Sequence, residues 1–337
     1  MKNVTIKDVA RQAGYSVGTV SRVINNKPVS AKTRDAVLKT MVELGYTPNA
    51  IAQSMRTNTT KAVALVVNDI SNPLFSGIAK AAEDMLRTQG YFLLISNTNN
   101  DPKIECEIVE TLRQRRIDGM IIAVSDESNK KTQEVLGSVS FPVVLLDREL
   151  PQEYDSVCDD HYQGMEQAVK YLMDLGHQNI KLISGSDKIR PGRVRIEGFK
   201  NAFRKKNIVV KEEQISQGRF DSVYGYEEAY KALTSRTPPT AIIAGGNQIF
   251  TGVLRAVKSC KLEIPRDISI IACDDIDLTT LMRPPITVIT RNLREIGRVT
   301  GDLLMSRILN PAETTRRRIL MPTELVVRES CQYVSGR

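Results

Sequence analysis

Ser16, Val17, Gly18, Thr19, Ser21, Arg22 and Asn25 crowd into ten residues near the start of the chain. Short hydroxyls at that density suit phosphate oxygens, a guanidinium can fork onto the edge of guanine, and a valine methyl can touch thymine. A second group of polar types is spread far apart: Asp147 and Arg148, then Arg195, Asn247, Asp274 and Arg291. Carboxylates, guanidinium forks and amides of this kind hydrogen-bond the hydroxyls of a small polar ligand. What is missing narrows the chemistry further. His161 and His177 are the only histidines, the five cysteines show no CxxC spacing, and no GxSxG, HExxH or GxxxxGK[ST] occurs. Nucleophilic and metal-assisted catalysis have little to work with. The chain therefore reads as a binding protein without catalytic residues, metal or cofactor.

The first group needs a scaffold, and the periodicity supplies one. Ile6, Val9, Ala10 and Ala13 recur at helical spacing, Gly14 and Tyr15 interrupt, and Val17, Val20, Val23 and Ile24 resume it. Thr5 with Asp8 fits a capping box, and Ser16 and Ser30 can cap a second helix and a third over 31–44, which Gly45 ends. Three short helices around one apolar cluster form a helix-turn-helix head, whose second helix presents its N-terminal residues to a DNA major groove. A structural three-helix bundle would share the spacing. Charge separates the two: residues 1–60 hold nine Lys and Arg against three Asp and Glu, most of the chain's net +8, the electrostatic footprint of a phosphate binder.

The second group needs sheets. Apolar runs at 62–67, 91–96, 119–124, 143–146, 180–183, 240–244 and 268–272 alternate with amphipathic segments, two of which start cleanly at Asn72-Pro73 and Asp101-Pro102. Alternation of this kind predicts an α/β body of parallel sheets covered on both faces. The strands are too many for one sheet, and 155–161 breaks the rhythm, so two doubly wound subdomains enclosing a cleft at their strand ends are expected. Those ends hold Asn72, Leu74 and Phe75, then Asp147-Arg148, Arg195, Phe220, Asn247 and Asp274, a set suited to a polyol with Phe220 stacked on its apolar face. Arg190 and Arg193 read as solvated charges at a helix start, His161 and His177 as surface residues at helix ends, and Arg316–Arg318 as an exposed edge device.

The segments TIKDVARQAGYSVGTVSRVINN, VSAKTR and ELGYTPNAIAQSMR together resemble the DNA-binding head of the lactose/galactose repressor family of bacterial transcription regulators, and a looser likeness continues to about residue 328. The resemblance implies a head at 1–57 with a hinge helix at 48–56. Thr5, Ser30, Asn49 and Ala52 join the DNA-facing set, and Met55 acts as an apolar wedge in the minor groove. It also implies a body at 61–337 like the periplasmic sugar-binding proteins, with an N-subdomain of 61–160 and 292–320 and a C-subdomain of 161–290 and 321–330. Arg291 falls on a further effector position where an amide is usual, and Gly246-Asn247 replaces an Asn-Asp pair, so the pocket gains a cation. A sugar acid or sugar phosphate is then expected beside the neutral sugars. The expected partners are a palindromic double-stranded operator, a carbohydrate-derived effector and a second copy of the chain. The C-terminal CQYVSGR lacks the leucine heptad of tetrameric relatives. The implied function is a cytoplasmic, effector-controlled repressor; the alternative is a solute-binding receptor body without a regulatory role. With no apolar leader and no long apolar run, the chain is expected to be neither secreted nor membrane-spanning.

Overall fold

Helices in the head begin where a short polar side chain can satisfy a leading N–H. In the computed structural model, which describes residues 4–47, 59–152 and 154–334, α1 spans Ile6–Ala13, α2 Val17–Ile24 and α3 Ala31–Glu43. Ser16 Oγ accepts the Thr19 N–H at 3.1 Å and Ser30 Oγ the Thr33 N–H at 3.2 Å. At α1 the Asp8 carboxylate accepts the Thr5 N–H at 3.0 Å and its hydroxyl at 2.7 Å. Gly14 closes α1 at φ 72°, a left-handed conformation that glycine adopts without a Cβ clash. Val9, Ala10, Val20, Val23 and Val37 are buried together as the core of this unit, each valine contributing roughly 1.5 kcal/mol or more. The expected hinge helix at 48–56, with Asn49, Ala52 and Met55, lies outside the described residues. The chain divides into two units, one ending at Thr60 and one beginning at Lys61.

The second unit holds two six-stranded sheets. The first contains β1 (Ala62–Val67), β2 (Phe92–Asn97), β3 (Gly119–Ile122), β4 (Val143–Leu146), β5 (Asp155–Asp159) and β11 (Arg318–Met321), in the order β11-β5-β4-β3-β1-β2. The second contains β6 (Ile180–Gly185), β7 (Ile215–Gly218), β8 (Ala241–Ala244), β9 (Ser269–Cys273), β10 (Thr287–Arg291) and β12 (Thr323–Val326), in the order β12-β10-β9-β8-β6-β7. The helices are α4 (Pro73–Thr88), α5 (Pro102–Gln114), α6 (Lys130–Gly137), α7 (His161–Asp174), α8 (Arg190–Arg204), α9 (Ser222–Leu233), α10 (Asn247–Ser259), α11 (Asp277–Leu281) and α12 (Leu293–Leu309). Asn72 and Asp101 cap α4 and α5, each with proline in the first turn.

Double covering explains why β1 is apolar along its whole length. Val63, Leu65 and Val67 face Ile78, Ala82 and Leu86 of α4 and Leu304 of α12, while Ala62, Ala64 and Val66 face Val109 and Leu112 of α5 and Leu136 of α6. Alternate side chains serve separate cores, so no polar face remains.

Two expectations change. The stretch 155–161 does not interrupt the sheet: it is the fully buried β5, the capping Asp160 and His161, the first residue of α7. It escapes a hydrophobicity reading because its aspartates are buried as ion pairs, Asp155 accepting Arg307 Nε and Nη2 at 2.7 Å each. The sheets are also not wholly parallel, since β12 runs antiparallel to β10. One residue, Pro322, separates β11 from β12, too few for a crossover. A strand that leaves the carboxyl end of one sheet and enters the other at its carboxyl end, Thr323 opposite Arg291, must run backwards. The carboxyl ends of the two sheets are thereby joined.

Candidate functional site

On the head, the N-terminal turn of α2 is open. Ser16, Val17, Gly18 and Arg22 are exposed, as are Thr5 and Ser30, while Thr19, Ser21 and Asn25 are half-buried. Val17, counted above in the apolar repeat, is 41 % exposed. Leading N–H groups of a helix carry partial positive charge and favour a phosphate. Asn25 turns its amide back to Ser21, donating to its carbonyl and, at 3.3 Å, to its hydroxyl. The Arg22 guanidinium has no hydrogen bond or ion pair to a described residue.

In the body, matching strands of the two sheets bring matching residues together. Asp147 and Asp274 are the first residues after β4 and β9, and both stand at positive φ, 53° and 76°, a conformation tolerated by aspartate and concentrated at functional sites. Asp159 ends β5 and Arg291 ends β10. Arg291 is the hub: its Nε and Nη2 donate to Asp274 Oδ1 at 2.9 and 2.8 Å, and its Nη1 to Asp147 Oδ2 at 3.2 Å and to Asp159 Oδ2. It thus ties one sheet to the other.

The electrostatics follow from burial. Burial disfavours the Arg291 charge, yet Asp274, Asp159 and Asp147 together hold its pKa well above the ordinary value. Burial likewise pushes the Asp147 carboxyl up, but His161, Arg291 and Arg190 overcome it and keep it well below the usual range. At Asp159 burial prevails over Arg291, and the carboxyl is pushed up to about 6; its Oδ1 is buried without a hydrogen-bond partner among the described residues. His161, 3 % exposed, donates to Asp147 at 2.7 Å, and burial lowers it to about 4. Asp147, Asp159 and His161 could offer three ligand atoms to a metal ion within 4.8 Å of one another, but the Arg291 guanidinium already bridges the two carboxylates as their cation.

The other expected positions fall around this hub. Asn72 Oδ1 caps α4 through the Leu74 N–H at 3.1 Å and accepts Asn247 Nδ2 at 2.7 Å, joining the starts of α4 and α10 across the cleft. Gln248 reaches Asp69 at 3.5 Å. Arg195 is buried and donates to the Gly245 carbonyl at 2.7 Å, with no ion pair among the described residues. The Phe220 ring lies directly on Gly185, where any Cβ would stand 1.9 Å from it. A cavity of about 400 Å³ opens beside the hub, lined by Pro73, Leu74, Asp274 to Leu278, Arg291 and Leu293, within the size range of small-molecule sites. Leu74 and Phe75 also pack on the core of the first sheet.

Four readings need correction. Arg291 is no spare cation, because three carboxylates surround it, and the reason for expecting an acidic effector goes with it. Arg148 turns away from the cleft, its guanidinium donating to the carbonyls of Val124 and Asp147 and to Asn68 Oδ1 at 3.2 Å. His161 and His177 are buried, the latter held by Thr240 at 2.9 Å and the Gln332 carbonyl at 3.1 Å. Arg190 is not solvated: it is 4 % exposed and donates to Asp147 Oδ1 at 3.3 Å and to the Asp159 carbonyl at 2.7 Å. Asp159 and Glu127 join Arg190 as functional residues that their types alone do not mark. One local signal points to Arg190 and Glu127: Ile189 occupies the N-cap of α8, where a polar acceptor belongs, so the cap must come from elsewhere.

Comparison with known proteins adds to this geometry. Residues 5–49 match the family described as bacterial regulatory proteins, lacI family, and residues 169–331 a periplasmic binding protein-like domain. The HTH-type transcriptional regulator DegA of Bacillus subtilis (strain 168) is 36 % identical over 330 residues, 97 % of each chain. The lac repressor dimer bound to operator and the anti-inducer ONPF superposes with a TM-score of 0.88 at 27 % identity, over 98 % of this chain and 100 % of that one. A complex of the transcriptional regulator CelR with cellobiose gives 0.75 at 27 % identity, over 97 % and 99 %.

Proposed function

Because the chain belongs to the lacI family of bacterial regulatory proteins, we propose that it is a cytoplasmic repressor which reads an operator with Thr5, Ser16 to Thr19, Ser21, Arg22, Asn25 and Ser30, and answers to a carbohydrate-derived effector. The observation that carries the reading is the union, in one chain, of an open helix-turn-helix head with two sheets joined at their carboxyl ends around a cleft. The head supplies DNA affinity and the cleft supplies control. Two sites so linked are coupled through the closure of the halves, and a coupling of about 1–3 kcal/mol would change operator affinity roughly 5- to 150-fold. No helix among the described residues is long and apolar enough to cross a membrane, and no residue is assigned a catalytic role.

Asn72, Leu74, Phe75, Phe220, Asn247 and Asp274 would hold the effector with Arg195, whose guanidinium keeps donors free because no carboxylate among the described residues claims them. With Arg291 neutralised by its own aspartates, a neutral sugar suits the cleft at least as well as an acid. The lac repressor and CelR complexes carry ONPF and cellobiose, in keeping with a carbohydrate-derived ligand. Apolar surface at Phe92 and Ile95 of the edge strand β2, and at Leu278 and Leu281 of α11, supports a homodimer, which would double the half-site into a palindrome. The segment 48–56, with Asn49, Ala52 and Met55, is proposed as the hinge that reaches the minor groove.

Arg22→Ala tests the head. It should lose about 1–3 kcal/mol of operator affinity and relax the preference at one base pair; an equal loss on every sequence would make Arg22 a phosphate contact instead. Salt-dependent binding of duplex DNA with no sequence preference at all would favour a solute-binding body carrying an adventitious basic head. A thermal-shift screen tests the cleft, since a ligand at 100 times its Kd adds about 2.7 kcal/mol. Stabilisation is expected from neutral sugars; a response confined to sugar acids or phosphates would restore the anionic class.

A further inference from the structure

The halves of the effector unit meet along a seam of opposite charges at the start of α8. Neither Ile189 nor another residue of that segment accepts the first N–H of the helix by its side chain, and Pro191 stands in the first turn. Glu127, which follows β3 in the other half, supplies the acceptor. Its carboxylate is buried, at 7 % exposure. One oxygen takes the Arg190 N–H at 2.9 Å and the Glu149 N–H at 3.0 Å, the other takes the Arg193 guanidinium at 2.9 Å, and the Glu127 N–H donates to the Lys188 carbonyl at 3.0 Å. Lys188 pairs with Asp126 at 3.3 Å, and Arg190 and Arg193 reach Glu149 at 3.3 and 3.4 Å.

Asp126, Glu127 and Glu149 follow strands of the first sheet, whereas Lys188, Arg190 and Arg193 lie between β6 and the first turn of α8 in the second. Exposed ion pairs contribute little, but Glu127, which pairs with Arg193, and Arg190, which pairs with Asp147, are out of water. A buried pair of this kind is a poor source of overall stability and a good means of distinguishing one arrangement from another, because separating the partners strands a charge and uncaps a helix. Every contact is made by the chain itself.

We propose that Glu127 is the centre of a charge latch that holds the two halves together, so that closure is set by the chain's own ion pairs and an effector tunes it. The proposal rests on the reading of this unit as the controlling half of a DNA-binding regulator. Hydrogen–deuterium exchange on the full-length protein tests it. Arg193→Ala leaves the Glu127 acceptor in place, so the Arg190 and Glu149 amides speed up only if the seam itself opens; acceleration by about tenfold is expected, with exchange in β1 and β8 unchanged. Glu127→Ala should in addition enlarge the radius of gyration in small-angle scattering. Unchanged amides in Arg193→Ala overturn the latch, and so does an unchanged radius in a folded Glu127→Ala; should that variant not fold, Arg193→Ala decides alone. Failure of the unmutated protein to prefer any duplex would overturn the regulator reading and leave the exchange result standing.

Discussion

Arg291→Met is expected to destabilise the effector unit by about 3–5 kcal/mol, the range found when one partner of a buried ion pair is removed. The side chain is 6 % exposed and serves three carboxylates, Asp147, Asp159 and Asp274, that are themselves nearly inaccessible. Methionine fills much of the volume, so packing loss is small and stranded charge is the dominant effect. At roughly 2 °C or more per kcal/mol for a unit of this size, the midpoint should fall by at least about 6 °C. Two further variants identify the cause. Arg291→Lys keeps the charge without the fork and should lose less. Adding Asp274→Asn to Arg291→Met should recover part of the loss, because the carboxylate holding two of the guanidinium bonds is then neutral. Thermal and urea melts of the three proteins measure both points; a loss under about 1 kcal/mol for Arg291→Met would mean that water replaces the guanidinium readily and that the hub is weakly held.

Local chemistry was legible in the sequence, and non-local chemistry was not. The caps at Ser16 and Ser30, the turn at Gly14, and the starts of α4 and α5 at Asn-Pro and Asp-Pro depend on neighbours within four residues, so their types could be read directly. β1 and β4 were legible for the opposite reason: burial on both faces leaves nothing but apolar residues. β5 failed that test because its aspartates answer to Arg307 and Arg291, more than a hundred residues away. β7, β11 and β12 are partly exposed and mix polar with apolar residues over four positions, so neither a continuous apolar run nor an alternation marks them.

The cleft shows the same division. Asp147, Asp274 and Arg291 were identifiable as polar residues at strand ends, because parallel sheets place ligands there. Their mutual pairing was not identifiable, since residue type carries no distance, and a cation counted as available to a ligand was already committed. Arg190 shows the converse error. A charge at a helix start is usually solvated, and only the apolar Ile189 in the capping position hinted that another part of the chain would come to meet it.

Asp159→Asn and His161→Gln should tilt the pH dependence of stability in opposite directions. Asp159 is pushed up to about 6 from 3.8, so the folded protein holds this proton more tightly than the unfolded chain does; the resulting stabilisation is complete below pH 3.8 and is lost as pH rises through 6. His161 is lowered to about 4 from 6.5, so the unfolded chain binds its proton more tightly; stability is complete above pH 6.5 and is lost as pH falls toward 4. Between pH 4 and 6 the two act against each other, each with a limiting slope of about 1.4 kcal/mol per pH unit. In the native sequence they largely cancel. Asp147, which couples the pair through His161 and Arg291, is held well below 3.8 and stays ionised across this window, and Arg291, raised well above its ordinary value, stays charged. Removing one titrating group unmasks the other. Relative to the native protein, Asp159→Asn should gain up to about 3 kcal/mol as pH rises from 4 to 6, and His161→Gln should lose as much over the same interval. Urea melts at half-unit steps of pH give both difference curves. Curves that run parallel to the native one would show that neither group changes its proton affinity on folding, and would remove the buried proton exchange from the account of the cleft.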